Sequence, residues 1–410
     1  MEFRPILSAL MRSKVALVLI GLQIALTLAI VSNALFIINQ RIENMGRASG
    51  MNEADTFMIS SLGFGAGYDV KNAYAEDLAT LRGMPGVANA APILTVPMSQ
   101  SGWSEGISLT TTQQNSDVGV AMYFIDEQGL DTYGLKLVGG RNFTADEVTH
   151  RDVRSTSWPN IVMITKALGE RLWPGQNAVG KQFYLDQEKP PLTVIGVVDR
   201  LIMPWPNISN RSGDKNAYEF SMMVPQMVPF GLQTRYLVRA EPGRVTELVK
   251  AVEAKLAQTN TSRIVREART LTEIRAECYR SDRAMLIILI AVIVALLSIT
   301  ALGIVGMASF WVTQRTKQIG TRRALGATRG NILRYFLTEN FVITTIGLAL
   351  GAVLTYGVNL WLMQAYSAQR LPVLYLVGGM IALWLLGQLA VFGPATRASR
   401  VPPAVATRSV

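Results

Sequence analysis

The sequence predicts a membrane α-helical protein with four transmembrane helices and a large extracytoplasmic mixed α/β domain. Three observations predict it: four uncharged apolar runs, a charge excess confined to short segments beside them, and a long polar stretch between the first two runs. Composition excludes other classes. Of 410 residues, 50% are hydrophobic and 17% charged, and the mean hydropathy is +0.26. That is too apolar for a disordered chain. The single Cys278 permits no disulfide within the chain.

The four runs cover residues 15–38, 284–312, 341–363 and 371–392, and none contains Asp, Glu, Lys or Arg. A bilayer core needs about 20 apolar residues in a helix. Each run meets that length, and a buried helix of a soluble protein is seldom so long and charge-free. The first run exceeds the roughly 7–15 residues of a signal-peptide core, so it is read as an uncleaved anchor.

Charge sets the orientation. Residues 1–14 carry Arg4, Arg12 and Lys14; residues 313–340 carry Arg315, Lys317, Arg322, Arg323, Arg329 and Arg334; the tail 393–410 carries Arg397, Arg400 and Arg408. Against them stand only Glu2 and Glu339, so these segments account for the whole formal charge of +10. Four spans place all three on one side, which the positive-inside rule makes cytoplasmic. Both termini are then inside, and residues 39–283 and the short loop 364–370 are outside. A nucleic-acid partner is not expected, because the large domain has no net charge.

Within 39–283, short β-branched runs at 160–164, 192–198, 220–224 and 236–238 read as strands. Residues 166–172 and 244–257 read as helices, the second with Val245, Leu248, Val249, Val252 and Leu256 on one face. Strand 236–238, helix 244–257 and a strand near 263–265 make a β-α-β unit. Residues 202–214 read as a loop. Met203, Trp205, Met222, Met223, Met227 and Phe230 are assigned to the core and a loop anchor rather than to a partner surface. The lone His150 is read as a surface residue and Cys278 as a quiet thiol. No catalytic constellation and no clustered metal ligands emerge. Asn142, Asn207, Asn210 and Asn260 match the glycosylation pattern, a weak signal in so long a chain.

The segment 314–330 carries the specific signal. Arg315, Gln318, Arg322 and Leu325 recur at helical spacing, with Ile319, Arg323 and Gly326 beside them. Gly326 is placed to close this helix as a left-handed cap, and Thr328 to cap the next, whose face includes Ile332, Leu333, Phe336 and Leu337. A basic helix on anionic lipid would explain the charge. It would not explain Gly320, Gly326 and Gly330, which weaken such a helix and let another surface approach. The segment therefore reads as a protein-docking helix.

This segment resembles the coupling-loop motif of the MacB/FtsX-like ABC-transporter permeases, through Arg315, Thr316, Ile319, Gly320, Arg322, Arg323, Ala324, Leu325, Gly326 and Ala327. Gln318 stands where that motif usually has Glu. The stretch 139–143, the stretch 165–198, and Pro394, Arg397, Ala398, Pro402 and Ala406 are similar to further family motifs.

The resemblance implies mechanotransmission: two permease chains, identical or paralogous, over two separate ABC ATPase subunits. With 14 residues before the first span and no Walker motif, the chain itself is expected to bind no cofactor and to be no enzyme; the partner ATPase would bind ATP and Mg. The outer domain would meet a periplasmic adaptor or an outer-membrane exit partner. The expected function is export or efflux of a drug, peptide or lipid-linked substrate. The alternative is an FtsX-like regulator that transports nothing and activates a periplasmic partner such as a cell-wall hydrolase. Inside the spans, Gln23, Asn33 and Asn359 are read as interhelical hydrogen-bonding groups, and Gly347 and Gly351 as a close-packing pair.

Overall fold

The computed structural model describes residues 14–402, except residues 66, 112–117, 152–157, 186–189, 207–213, 230 and 367–368. Arg4, Arg12, Asn207, Asn210, Phe230, Ala406 and Arg408 lie outside the described residues. The chain divides into two compact units, Met1–Met45 with Asp282–Val410, and Gly46–Ser281.

Helix α1, Lys14–Met45, opens the first unit. The second unit then runs β1 (Thr56–Gly63), α2 (Val70–Arg82), β2 (Val87–Pro92), β3 (Trp103–Ile107), β4 (Val118–Phe124), α3 (Gly129–Tyr133) and β5 (Leu137–Gly140). It continues through β6 (Thr149–His150), β7 (Ile161–Thr165), α4 (Lys166–Leu172), β8 (Gln182–Phe183), β9 (Leu192–Val198), β10 (Ser221–Val224) and β11 (Gln226–Met227). It ends with β12 (Gln233–Ala240), α5 (Val245–Thr259), β13 (Arg263–Thr270) and α6 (Leu271–Cys278).

One sheet of this unit has the order β13-β1-β12-β2, with β1 antiparallel to both β12 and β13. The β12-α5-β13 segment is therefore a β-α-β unit with β1 inserted between its two parallel strands. Val245, Leu248, Val252 and Leu256 of α5 are buried on Phe57, Ile59, Tyr236 and Val238, together with Tyr74, Leu78 and Leu81 of α2. Asp69 starts α2 by accepting from the Lys71 and Asn72 backbone N–H groups, which satisfies donors the helix itself cannot. Strand β1 leaves no alternating pattern because both its faces are buried. Its polar members are satisfied internally: Ser60 donates to the Arg266 carbonyl and Ser61 meets Thr234 at 2.8 Å.

The other large sheet has the order β3-β4-β10-β7-β9-β5, with β8 also on β9. β7 and β9 are parallel across α4, a second β-α-β crossover. Val120, Met122, Phe124, Val162, Ile164, Val194 and Met222 form its core. Met222 and Met223 are fully buried, so they do pack inside. Gly140 has φ +73, and a Cβ there would lie 2.1 Å from the Ile195 carbonyl oxygen; only glycine fits. Residues 202–206 have no regular structure, yet Ile202 is buried and its carbonyl accepts from Tyr123 at 2.6 Å.

A polar seam joins the two sheets. Arg82 donates to Asp126 at 2.6 Å, Arg239 to Asp131 at 2.8 Å, and Asn89 to both Gln128 and Asp131. Burial pushes the Asp126 carboxyl up to about 6, against the pull of the Arg82 guanidinium.

The first unit is completed by α7 (Arg280–Gln314), α8 (Thr316–Ala324), α9 (Arg329–Tyr366) and α10 (Val373–Ser399). Among the described residues, α1, α7, α9 and α10 are the four helices long and apolar enough to cross a membrane. The helix that Thr328 caps runs on through the third apolar run as a single helix, α9, because no Gly or Pro break separates Asn331 from Phe341. The apolar stretch of α1 is 61% buried within the chain and that of α7 only 6%. Thus α1 is the central helix, and α7 presents most of its surface to the surroundings. At one end of the pair, Arg41 of α1 is ion-paired with Asp282 of α7.

Candidate functional site: helix α8

Helix α8 leaves α7 through a turn at Arg315. The Arg315 N–H still bonds the Trp311 carbonyl at 3.0 Å, and the Thr316 hydroxyl donates to the Val312 carbonyl at 2.9 Å. The other end is closed by Gly326 with φ +95. There the Ala327 N–H reaches the Arg322 carbonyl and the Gly326 N–H the Arg323 carbonyl, the Schellman pattern that a left-handed glycine permits. Thr328 then caps α9, its hydroxyl accepting from the Asn331 N–H at 3.2 Å. The helix is thus a short, sharply bounded element between two long ones.

Its residues divide into three faces. Ile319 and Gly320 are buried in the helical unit's core. Arg315 and Arg323, half-buried, do not project outward; each holds a long helix of this same chain. Arg315 Nη1 contacts both carboxylate oxygens of Glu339 at 2.9 Å, approaches the Tyr335 hydroxyl at 3.4 Å, and has Trp311 beside it. Arg323 Nη1 donates to the carbonyls of Ser399 at 3.1 Å and Val401 at 2.8 Å. These are carbonyls at the C-terminal end of α10, where a cation is favoured. Lys317, Gln318, Thr321, Arg322, Ala324, Leu325 and Gly326 are exposed, and Leu325 is 83% exposed. Arg322 lies over the Tyr335 ring at 4.9 Å.

The sequence pattern picked out α8 but not its partners Glu339, Tyr335, Trp311 and the carbonyls of Ser399 and Val401. A signal existed for one of them. Glu339 is the only acidic residue in the basic stretch 313–340, and a lone acid among cations usually has a fixed partner.

Gly347 and Gly351 lie against α1. A Cβ at Gly347 would sit 3.0 Å from Ile24 Cβ and 3.1 Å from the Gly21 carbonyl oxygen; one at Gly351 would sit 3.0 Å from Ala25 Cα. This pair is therefore occupied by the chain's own first helix and is not open as a seam for a second chain. Gln23 donates to the Ile299 carbonyl, Asn33 to those of Ala29 and Thr355, and Asn359 accepts from the Leu371 N–H. The amide groups of these side chains hold helices and a loop, while the buried Asn33 Oδ1 has no hydrogen-bond partner among the described residues.

In the α/β unit, His150 is exposed, and Gln100 contacts the half-buried Cys278 at 3.0 Å. Asn142 donates to the Glu127 carbonyl, and the Asn260 side chain accepts from the Ser262 N–H. Among the described residues, no group of three or more His, Cys, Asp or Glu side chains gathers to hold a metal ion.

Residues 16–257 match the MacB-like periplasmic core domain family, and residues 288–403 match the FtsX-like permease C-terminal family. The macrolide export ATP-binding/permease protein MacB of Chromobacterium violaceum is 27% identical over 335 residues, covering 78% of this chain and 49% of that protein. An uncharacterized ABC transporter permease of Bacillus subtilis, YvrN, is 25% identical, covering 70% of this chain and 69% of that one. The chain spans about half the length of the MacB relatives it matches. Among solved structures, the periplasmic region of MacB from Actinobacillus actinomycetemcomitans aligns with 57% of this chain and 97% of its own, at TM-score 0.35 and 18% identity. The two family matches together run from the first span to the end of α10, and on them the chain belongs to the MacB/FtsX-like permease family.

Proposed function

We propose that this chain is the permease subunit of a MacB-type ABC transporter working by mechanotransmission. The observation that carries the reading is the division of α8. Its inner side is tied to α7, α9 and α10 through Trp311, Glu339 and the end of α10. Its outer side exposes Lys317, Thr321, Ala324 and the apolar Leu325. Burying the exposed Leu325 against a partner would take its apolar surface out of water. A helix so tied moves its neighbours when it is pushed.

In this reading a separate ABC ATPase subunit, in two copies, docks on the outer side of α8. It binds ATP and Mg, and the chain itself performs no catalysis. A second permease chain, identical or paralogous, completes the complex in the bacterial inner membrane. The segments rich in Arg and Lys, including both terminal ones, lie on the cytoplasmic side, and the α/β unit lies in the periplasm, where it meets an adaptor or an outer-membrane exit partner. The cargo belongs to the drug, peptide or lipid-linked class. The distribution of charge and the names of the relatives support this reading.

The test is co-purification with, and stimulation of, an ABC ATPase expressed alongside. Leu325→Glu and Thr321→Trp are expected to abolish both while the chain still inserts. Full stimulation in both variants overturns the docking assignment. Stimulation without any cargo export would favour the regulatory, FtsX-like alternative.

A further inference from the structure

Between α8 and the first turns of α9 lies an open hollow. Its rim is polar, made by Arg315, Gln318, Arg322 and Tyr335. Its floor is apolar, made by Ile319, Ile332 and Phe336. Glu339 is the carboxylate beside this group and is held by Arg315. Two guanidiniums against one carboxylate leave a single positive charge in excess. Arg322 is exposed, with its guanidinium carbon 4.9 Å from the Tyr335 ring centroid, and its N–H groups are open to an incoming anion. Gln318, also exposed, adds two further donors without adding a carboxylate.

We propose that this hollow binds the phosphate of an anionic phospholipid. Arg322 and Gln318 would donate to the phosphate oxygens, and the half-buried Tyr335 ring would border the glycerol backbone. Three features favour a lipid over an acidic side chain of a protein partner. Arg315 and Phe336 of the hollow stand three and five residues from the ends of two apolar runs, Val312 and Phe341, where the helices leave the hydrocarbon core. Basic pockets at the ends of transmembrane helices suit anionic headgroups, and tyrosine is enriched at that level. The rim and floor combine cation and hydrocarbon as a phospholipid does. Lys317, Thr321 and Ala324 follow one another at spacings of four and three residues on a different side of α8, and Leu325 stands between that side and the stripe of Gln318 and Arg322. Lipid and protein partner would therefore take adjacent faces.

The experiment uses the purified full chain in a neutral detergent. Its thermal midpoint and lipid retention are measured with phosphatidylglycerol, phosphatidylcholine or inorganic phosphate. Phosphatidylglycerol alone is expected to raise the midpoint of the unmodified chain. Gln318→Glu places an anion of nearly unchanged size in the hollow, and Arg322→Gln removes the cation. Each is expected to weaken phosphatidylglycerol retention roughly fivefold, as loss of one headgroup cation should, with the midpoint in phosphatidylcholine unchanged. Equal shifts with both lipids, or undiminished preference in Gln318→Glu, overturn the proposal. A full shift from inorganic phosphate also overturns it, in favour of a soluble anion. So does loss of ATPase docking by Gln318→Glu in pure phosphatidylcholine vesicles with lipid preference intact, which would assign the hollow to the protein partner.

Discussion

Arg315 Nη1 lies 2.9 Å from each carboxylate oxygen of Glu339, a side chain with 1% of its surface exposed. The pair ties the turn that begins α8 to the body of α9, 24 residues further along the chain. Breaking a buried pair by removing one partner leaves an uncompensated charge. Glu339→Ala is expected to cost about 3 kcal/mol and to lower the thermal midpoint of the chain in detergent. Glu339→Gln, which retains an acceptor, should cost less. In both, ATPase stimulation should fall further than binding of the ATPase, because the brace is broken and not the docking face. Equal loss of binding and stimulation would count against the brace.

Gly326 closes α8 with a backbone conformation that L side chains adopt at a cost of roughly 1–2 kcal/mol. Nothing lies within 4 Å of the Cβ position, so that cost is conformational and not steric. Gly326→Ala and Gly326→Trp should therefore show similar small losses of stability. Only the bulky variant should also block the docking of a partner. Circular dichroism melts and a pull-down separate the two effects.

Gly347 and Gly351 leave no room between α9 and α1. Gly351→Val should disrupt the helical unit, since the nearest atom is the Ala25 backbone, which cannot rotate away. Cross-linking should then show loss of folded chain, with any dimer lost in the same proportion. A variant that folds normally but no longer dimerises would assign the glycines to a seam between chains.

The seam between the two sheets carries a pH dependence. The Asp126 carboxyl is raised to about 6 by burial, against 3.8 for an unburied one. The folded chain therefore holds this proton more tightly than the unfolded chain does. Its contribution is most favourable below about pH 4 and is lost as pH rises through about 6. Asp126→Asn should remove this slope. The measurement is chemical denaturation of both forms from pH 4 to 7, since the other carboxyls contribute equally to the two. Identical slopes would refute the assignment.

Cys278, the only thiol, reports the orientation. It is expected to react with a membrane-impermeant thiol reagent applied from the periplasmic side after the α/β unit is denatured in place. Labelling only from the cytoplasmic side would reverse the topology.

Much of this was legible in one dimension. The spans announce themselves because a bilayer demands about 20 uncharged residues in a row, which few other structures require. The end of α8 and the start of α9 were legible too, since a Schellman turn at Gly326 and a hydroxyl cap at Thr328 involve only neighbours in sequence. Strand β1 was not, because both its faces are buried and its serines find partners on β12 and β13. The roles of Arg315 and Arg323 were not legible either. The motif marks both as part of a docking helix, yet their partners lie 24 and 76 residues away.

The sequence by itself determined the number of apolar helices long enough to span, the segments in which positive charge collects, the existence of an α/β domain, and the short bounded helix between the second and third of those helices. These follow from composition and local stereochemistry, which act over a few turns of chain. Only the tertiary structure decided which arginines face inward, which helix fills the Gly347–Gly351 groove, and that Gln318 and Arg322 share a hollow with Tyr335. Each of these depends on which distant segments are brought within about 4 Å, the range over which packing and hydrogen bonding act.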